Sequence, residues 1–358
     1  MRIVVHVNLS ISLEILPIQP LISVLITYYN QIDSIERALK SVLNQDYPNL
    51  EIIIGDDYSL EGDLEAVLKN YPDSRIRLVR NPENLGRRGN YVNLLYKEAC
   101  GSLATILNAD DFLARNDFFT KVVERFHATK DVVLVFGHTN VFLEFTNEKV
   151  GDAIIENLPE IMEGNWLFLK LPHGVVIPHV TSVYNRGAAI ALDFYRSHTI
   201  SEDWESLYRL ILGHQVGFIK EVSGFYGRHY QNVSKDININ SILANIEYIT
   251  EPYKLALERG EIDSKLLHVW KDKMLFRYFV KNYIKISLWN KAQLPEFLAQ
   301  LKMHHPEIAK KITYDYRIAI FNMIKNHPRI LRFAFAKYSK QESVIADFIQ
   351  FSENKARG

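Results

Sequence analysis

Apolar runs and amphipathic segments alternate along the first part of the chain. Short, nearly continuous apolar runs are typical of strands buried on both faces of a sheet, and they occupy residues 22–27, 51–56, 103–108 and 132–136. Helical periodicity lies between them, at 32–43, around 64–68, at 90–99 and at 116–126. Residues 75–80 alternate charged and apolar positions, as a strand near a sheet edge does. The alternation predicts an α/β fold with a mostly parallel sheet, flanked by helices and connected by right-handed crossovers.

The pattern changes further along the chain. Residues 160–171 read as an amphipathic helix, 174–184 as extended chain, 203–212 as a helix and 216–219 as a strand. After residue 236, Leu, Ile, Tyr and Phe recur at three- and four-residue spacing, which predicts helices. We therefore expect an N-terminal extension over 1–20, an α/β domain over 21–235 and a C-terminal α-helical domain over 236–358.

Composition narrows the class of protein. Lys plus Arg and Asp plus Glu both number 42, so no net charge indicates nucleic acid as a partner. The single cysteine, Cys100, follows an apolar run, and we expect a buried, inert thiol in a reducing compartment. The first 20 residues do not resemble a signal peptide, and no apolar run reaches about 18 residues. We expect a cytoplasmic protein.

Acidic pairs follow two of the predicted strands and open a later helix. Asp56-Asp57 ends the second strand, Asp110-Asp111 ends the fourth, and Glu202-Asp203 begins the helix at 203–212. Open α/β sheets bind ligands at the carboxyl ends of their strands. Carboxylates converging on that edge suit a divalent metal, a phosphorylated ligand and a general base.

Six segments in this order resemble the inverting glycosyltransferases of family 2, which have the GT-A fold. They are ISVLITYYN, SVLNQDYPNLEIIIGDDYS, NPENLG, ILNADDFL, SEDWESLYRL and GRHYQNVS. The resemblance extends from Leu21 to about Ser234 and leaves the C-terminal third unaccounted for. It implies a GT-A (Rossmann-like) catalytic domain that transfers a sugar from a nucleoside-diphosphate donor to an acceptor hydroxyl, as in cell-surface glycan or polysaccharide synthesis.

The resemblance also implies donor-binding residues. Thr27, Tyr29 and Asn30 follow the first strand, where an aromatic face can stack on a base and polar groups can bind ribose. Asp57 matches the family carboxylate that accepts the N3–H of uracil or thymine, so we expect a UDP- or dTDP-sugar. A cap on the following turn is the alternative role for Asp57.

A basic residue near the third strand is implied to contact the diphosphate. Arg87 is the simplest match, because a guanidinium can bind phosphate oxygens bidentately. Arg88 is close enough in sequence to take this role instead, and two solvated surface arginines are the alternative.

The segment 108–111 departs from the family pattern at its first position, where Asn108 replaces the common Asp. The resemblance implies that Asp111 is a metal ligand, that Asp110 lies near the metal or the ribose, and that Asn108 bonds a ribose hydroxyl. His229 is a candidate to complete the metal shell or to contact the diphosphate. Oxygen ligands suit Mn²⁺ or Mg²⁺, which keep positions open for phosphate oxygens.

Glu202 and Asp203 match the family's acidic pair at a helix N-terminus, and in relatives the second residue is the catalytic base. Asp203 is therefore expected to deprotonate the acceptor hydroxyl. Capping of the helix by Ser201 or Asp203 is the alternative without chemistry. His179 precedes this pair, and we place it near the acceptor.

Residues 310–340 carry eight basic residues against Asp315 alone, with Ile and Phe interleaved. Peripheral contact with the inner face of a membrane is one interpretation. A helical subdomain packed on the catalytic domain, or a contact between copies in a homo-oligomer, is the other. The sequence does not decide whether the acceptor is a glycan, a lipid-linked oligosaccharide or a peptide.

Other functions fit less well. A sugar-1-phosphate nucleotidylyltransferase needs a Gly-rich basic loop after the first strand, and residues 27–34 contain none. A processive synthase would carry membrane spans and a Gln-x-x-Arg-Trp motif. A degenerate domain that only binds nucleotide or acts as a scaffold is the alternative outside the enzymes, and the presence of Asp57, Asp111 and Asp203 argues against it.

Overall fold

The computed structural model describes residues 16–144, 146–150, 158–229, 238–327 and 330. Its strands, in chain order, are β1 (Ile22–Tyr28), β2 (Leu50–Asp56), β3 (Ile76–Arg80), β4 (Leu103–Asn108), β5 (Phe112–Leu113), β6 (Val132–Leu143), β7 (Glu148–Val150), β8 (Ile161–Glu163), β9 (Ser182–Asn185) and β10 (Gln215–Arg228).

Helices follow most of the strands and then occupy the C-terminal part. In the α/β part they are α1 (Ile32–Leu43), α2 (Leu64–Leu68), α3 (Gly86–Asn93), α4 (Phe118–Ala128), α5 (Gly164–Lys170), α6 (Arg186–Ala191) and α7 (Glu202–Leu210). The C-terminal ones are α8 (Ile239–Ala244), α9 (Glu247–Arg259), α10 (Ser264–Trp289), α11 (Leu294–His304), α12 (Pro306–Tyr314) and α13 (Tyr316–Ile324).

The strands form one mixed sheet with the order β3-β2-β1-β4-β9-β6-β10-β5, while β7 pairs with β6 and β8 with β10. Pairing is parallel throughout β3-β2-β1-β4 and between β6 and β10. The short strand β9 runs antiparallel to both β4 and β6 and joins the two parallel parts. The α/β fold is confirmed, and β3 lies at the sheet edge as its alternating pattern predicts.

Burial explains why the first strands are readable from sequence. Every residue of β1 is buried, and β2 is buried except for the half-buried Glu51. The helix α1 buries one face against the sheet, with Ile35, Leu39 and Val42 fully covered. Continuous apolar strands between layers of helices are the expected solution for a parallel sheet.

The described C-terminal helices pack on the same core as the sheet. One cluster of buried residues extends from Leu25 in β1 to Phe321 in α13. The helix α9 packs on α7, and the long helix α10 packs on α9 and α12. The predicted boundary near 235 falls among residues 230–237, which lie outside the described residues, so the domain limits stay a prediction.

Three expectations for local structure are wrong. Residues 160–171 are not one helix, because Ile161–Glu163 pair as β8 with the start of β10 and only Gly164–Lys170 is helical. Residues 174–184 form a strand only from Ser182 onward, where β9 pairs with β6. Cys100 is exposed, because it lies in the turn before β4 rather than inside the helix that ends at Glu98.

Within the described ranges, no helix combines the length and the apolar character that crossing a bilayer requires.

Candidate functional site

The carboxyl ends of β1, β2 and β4 meet at one edge of the sheet, because these strands are parallel neighbours in register. Thr27 is opposite Gly55 in β2 and Asn108 in β4. The end of β10 also reaches this edge, since the Gly227 N–H donates to Asp111 Oδ1 at 2.9 Å. Three of the six segments that carry candidate residues, those of β1, β2 and β4, are therefore held by backbone pairing before any side chain is considered.

Asp57 organises the loop that follows β3. Its Oδ1 accepts hydrogen bonds from Asn81 Nδ2 at 2.9 Å and from the Leu85 N–H at 2.8 Å. The side chain is buried. Asn81 thus belongs to this site, and its place directly after β3 is the sequence signal that could have identified it.

The loop after β1 separates its candidate residues. Tyr29 is 47% exposed, which leaves an aromatic face available for stacking on a base. Asn30 instead adopts φ 50° and accepts hydrogen bonds from the Leu60 and Glu61 N–H groups. Its side chain therefore holds the loop after β2 in place.

Asn108 is the centre of a polar network. Its Oδ1 accepts hydrogen bonds from Thr27 Oγ1 at 3.0 Å and from the Tyr91 hydroxyl at 2.6 Å. Its Nδ2 donates to Asp111 Oδ2 at 3.1 Å. An asparagine can accept and donate at the same position, whereas an ionised aspartate only accepts. The departure from the family's acidic pattern thus has a structural reason, and the network adds Tyr91, which the sequence did not single out.

Asp110 and Asp111 have different surroundings. Asp111 is 0% exposed, and both of its carboxylate oxygens accept hydrogen bonds, from Gly227 and Asn108. Asp110 is slightly more accessible, and its Oδ2 lies 3.0 Å from His229 Nε2. Burial, and then the adjacent Asp110 carboxylate, raise the pKa of Asp111 well above its usual range.

The oxygen and nitrogen atoms that Asp110 and His229 offer are suitable ligands for a divalent cation. The Asp110 carboxylate and the His229 imidazole meet just beyond the ends of β4 and β10, and a cation held by such groups keeps positions for phosphate oxygens and water. Among the residues the structure describes, no set of three or more His, Cys, Asp or Glu side chains is arranged to hold a metal by itself. Any cation here would therefore depend on further ligands from the expected nucleotide-sugar donor.

The second acidic pair begins α7. Glu202 is buried, and its Oε2 pairs with Arg87 Nη2 at 2.7 Å, while Oε1 has no hydrogen-bond partner within the described ranges. Burial raises the pKa of Glu202 to about 7, although Arg87 opposes the rise. Asp203 is half-buried, and its Oδ1 accepts from its neighbour, the Trp204 N–H, at 2.8 Å.

Arg87 and Arg88 have distinct roles in this geometry. Arg87 also donates to the Ile200 carbonyl, so it orders the segment that leads into α7, and its guanidinium lies 5.8 Å from the Tyr91 ring. Arg88 Nε donates to the Tyr195 carbonyl at 2.6 Å. Arg87 is therefore the arginine at the acidic pair, and Arg88 supports the neighbouring turn.

Aromatic hydroxyls and an imidazole lie between the two acidic pairs. His179 Nε2 lies 3.0 Å from the Tyr195 hydroxyl, and the rings of both pack within 5.5 Å of Tyr91. Burial lowers the pKa of His179, and the negative charge of Asp203 opposes this shift. His179 thus lies near Asp203 as a neutral imidazole at neutral pH. Tyr195 was missed because nothing in its local sequence distinguishes it from a core tyrosine.

Comparison with known proteins identifies what this arrangement belongs to. The model of the family "Glycosyl transferase family 2" matches residues 23–191. An uncharacterized glycosyltransferase of Haemophilus influenzae is 30% identical over 308 residues, which cover 78% of this chain and 90% of the relative. The family model covers the acidic segments of both β2 and β4.

Two further comparisons describe better characterised proteins. The UDP-Glc:alpha-D-GlcNAc-diphosphoundecaprenol beta-1,3-glucosyltransferase WfaP of Escherichia coli is 31% identical over 166 residues, which cover 46% of this chain and 63% of that protein. The chain thus spans less than two thirds of this relative's length. The crystal structure of S. aureus TarS 1-349 in complex with UDP-GlcNAc has a TM-score of 0.61 at 15% identity, covering 94% of this chain and 92% of that one.

The structural similarity supports the GT-A fold, and the sequence matches support the family. The chain belongs to glycosyl transferase family 2.

Proposed function

We propose that this chain is an inverting glycosyltransferase that moves a sugar from a UDP- or dTDP-sugar to a hydroxyl of a lipid-linked glycan. The observation that carries the proposal is the position of the half-buried Asp203 at the start of α7. Tyr91 links the two acidic pairs, because its hydroxyl bonds Asn108, which bonds Asp111, while its ring contacts Arg87, which pairs with Glu202. A base close to a phosphate-binding edge is what a single displacement requires.

Asp203 is the general base of the proposed reaction. It takes the proton of the acceptor hydroxyl while the oxygen attacks the anomeric carbon from the face opposite the diphosphate. The bond between that carbon and the phosphate oxygen breaks, and its electron pair leaves with the nucleoside diphosphate. The configuration at the anomeric carbon is therefore inverted. The ion pair between the buried Glu202 and the partly exposed Arg87 holds the start of α7 in position.

The donor is assigned to the edge formed by β1, β2 and β4. The exposed ring of Tyr29 is available to stack on the base. Asp57, already fixed through Asn81 and Leu85, offers its carboxylate to the N3–H of uracil or thymine. UDP-GlcNAc is bound by the structural relative TarS and UDP-Glc is named for the E. coli relative, which supports a uridine donor.

Asp110 and His229 are the residues that we assign to a Mn²⁺ or Mg²⁺ ion. Bound there, the cation would neutralise charge on the diphosphate leaving group. Asp111 is assigned a supporting role, because its two oxygens already bond Gly227 and Asn108 and orient the turn that carries Asp110.

The acceptor assignment rests on the named activity of the E. coli relative, which acts on a diphosphoundecaprenol-linked sugar. We extend that class of acceptor, a sugar on a lipid diphosphate, to this chain.

Replacing Asp203 with Asn tests the proposal most simply. The variant keeps an oxygen that can accept from the Trp204 N–H, so its folding should be unchanged. It loses the base, so kcat should fall by about 10²–10⁴ with unchanged affinity for the nucleotide. Sugar-transfer assays stopped at fixed times measure kcat, and nucleotide titration measures the affinity. Normal turnover by the variant would remove Asp203 from this role.

A further inference from the structure

A groove with apolar walls lies beside the candidate site, between α5 and the start of α10. We call it the Trp166 groove. It encloses about 290 Å³, near the lower end for small-molecule sites. Its walls include Trp166, Pro172, Leu266, Val269 and the stems of Lys170 and Lys273. Trp166, Leu266 and Val269 are 38%, 53% and 51% exposed, which is unusual for large apolar side chains on one concave surface.

Positive charge is concentrated at one end of this groove. Lys170 and Lys273 line it, and Arg277 approaches from the next turn of α10 and donates to the Pro172 carbonyl at 2.6 Å. In the part of the chain that the structure describes, none of these three cations is paired with a carboxylate. Burial, and then Lys273, Lys170 and Arg277, lower the pKa of His173, so the imidazole adds no charge at neutral pH. A cluster of cations without carboxylate partners favours an anionic ligand.

Residues 171–179 connect the groove with the helix that carries Asp203. Pro172 and His173 line the groove, and the Ile177 carbonyl accepts a hydrogen bond from Trp204 Nε1 at 3.2 Å. Trp204 and Tyr208 stack with their ring planes 4° apart on α7. Tyr208 is buried, whereas Trp204 is half-buried and lies next to Asp203 in the chain. Trp204 is therefore the accessible aromatic side chain beside the proposed base.

We propose that the Trp166 groove binds the lipid diphosphate of the acceptor, with the diphosphate at Lys170, Lys273 and Arg277 and the first isoprenoid units against Trp166, Leu266 and Val269. The inference rests on the proposed function and adds the site at which the acceptor is held. The sugar of the acceptor would then lie over Trp204, with its hydroxyl at Asp203. The apolar walls favour a lipid chain as the ligand, and the clustered cations favour a lipid diphosphate over a neutral lipid.

Binding of geranylgeranyl diphosphate to the full chain tests the groove without requiring turnover. Titration can be followed by tryptophan fluorescence or calorimetry. The double variant Lys170→Gln/Lys273→Gln should bind at least about 10-fold more weakly, the equivalent of 1.4 kcal/mol. The matched variant Lys310→Gln/Lys311→Gln removes the same charge from two exposed lysines of α12, and it should bind like the unmodified protein.

A second variant separates the lipid from its phosphates. Val269→Asp should weaken the binding of geranylgeranyl diphosphate. Inorganic pyrophosphate should bind the unmodified protein far more weakly than geranylgeranyl diphosphate does. Equal affinities for pyrophosphate and the lipid would overturn the apolar part of the proposal. If both lysine double variants lost affinity for geranylgeranyl diphosphate equally, or lost affinity for phosphatidylglycerol vesicles equally, the lysines would act only by general attraction to an anionic surface. Either result would overturn the site.

Donor hydrolysis distinguishes failure of the groove from failure of the proposed function. Slow release of UDP from a UDP-sugar in water needs the donor site and not the acceptor. Groove variants should keep this activity and lose transfer to a lipid-linked acceptor, mainly through KM. Donor hydrolysis that is absent in the unmodified protein would count against the proposed function, while binding of geranylgeranyl diphosphate would still support or overturn the groove.

Discussion

At the scale of single residues, the polar network around Asn108 explains why the chain departs from the family's acidic pattern. The amide links Thr27, Tyr91 and Asp111, and it is the only kind of side chain of this size that both accepts and donates there. A sequence comparison shows only that an expected Asp is absent. The structure shows that the replacement satisfies a buried carboxylate.

Restoring the family residue with Asn108→Asp should therefore destabilise this protein. The new carboxylate would face Asp111 without a donor between them, at a cost of about 1–3 kcal/mol. Urea unfolding at pH 8 measures the change. Asn93→Asp is a suitable control, because Asn93 is half-buried and donates only one side-chain bond, to Asn81. A variant as stable as the unmodified protein would mean that water or a cation compensates at this position.

Glu202 should make stability depend on pH. Burial raises its pKa from 4.5 to about 7. A carboxyl whose pKa is raised by folding contributes stability below its unfolded pKa and loses that contribution as the pH rises through the folded value. The stability difference between the unmodified protein and Glu202→Gln should hence fall between about pH 4.5 and 7, by on the order of 3 kcal/mol.

Unfolding of both proteins at pH 5 and pH 8 checks this prediction. A difference that does not vary with pH would mean that the ion pair with Arg87 fully offsets burial and leaves Glu202 with the pKa of the unfolded chain.

At the scale of elements, β10 is the part of the fold that most directly shapes the site. Gly227 lies against the turn after β4, and a Cβ at this position would be 2.1 Å from the Asp110 carbonyl oxygen. The close approach lets the Gly227 N–H reach Asp111. This contact joins two strands that are distant in sequence, so no local pattern could have indicated it.

Gly227→Ala should displace the turn that carries Asp110 and destabilise the protein by about 1–3 kcal/mol. Gly187→Ala is the matched control, since its Cβ would meet only Asn185 Oδ1 at 3.4 Å and helix α6 should tolerate it. Thermal unfolding and nucleotide affinity of both variants measure the effect. Equal thermal stability and equal nucleotide affinity of the two variants would contradict the close contact at Gly227.

Elements that bury both faces were predictable from sequence, and elements defined by distant partners were not. Strands β1, β2 and β4 appear as apolar runs because helices cover both sides. The strand β8 has only three residues, and its pairing with β10 decides its structure against the helical pattern of its surroundings. The same holds for the candidate site: motif positions predicted Asp57 and Asp203, whereas Tyr91, Asn81 and Tyr195 join it through tertiary contacts.

At the scale of the whole molecule, the helices that follow residue 238 complete the core of the sheet rather than standing apart from it. They contribute Arg277 and Lys273 to one side of the Trp166 groove, while α5 contributes the other. The region that the family resemblance left unaccounted for is thus placed where an acceptor could be held. Residues 328, 329 and 331–340 of the basic segment lie outside the described residues, so contact of 310–340 with a membrane stays a prediction.

The central claim is that one edge of this sheet binds a nucleoside diphosphate together with a divalent cation. Calorimetric titration with UDP, dTDP, GDP and CDP, each with Mn²⁺ and with EDTA, tests it most directly. We expect UDP or dTDP to bind in the presence of Mn²⁺, to bind at least about 10-fold more weakly in EDTA, and to bind the Asp110→Asn variant more weakly than the unmodified protein. Binding of no nucleotide, or equal binding with and without the cation, would contradict it.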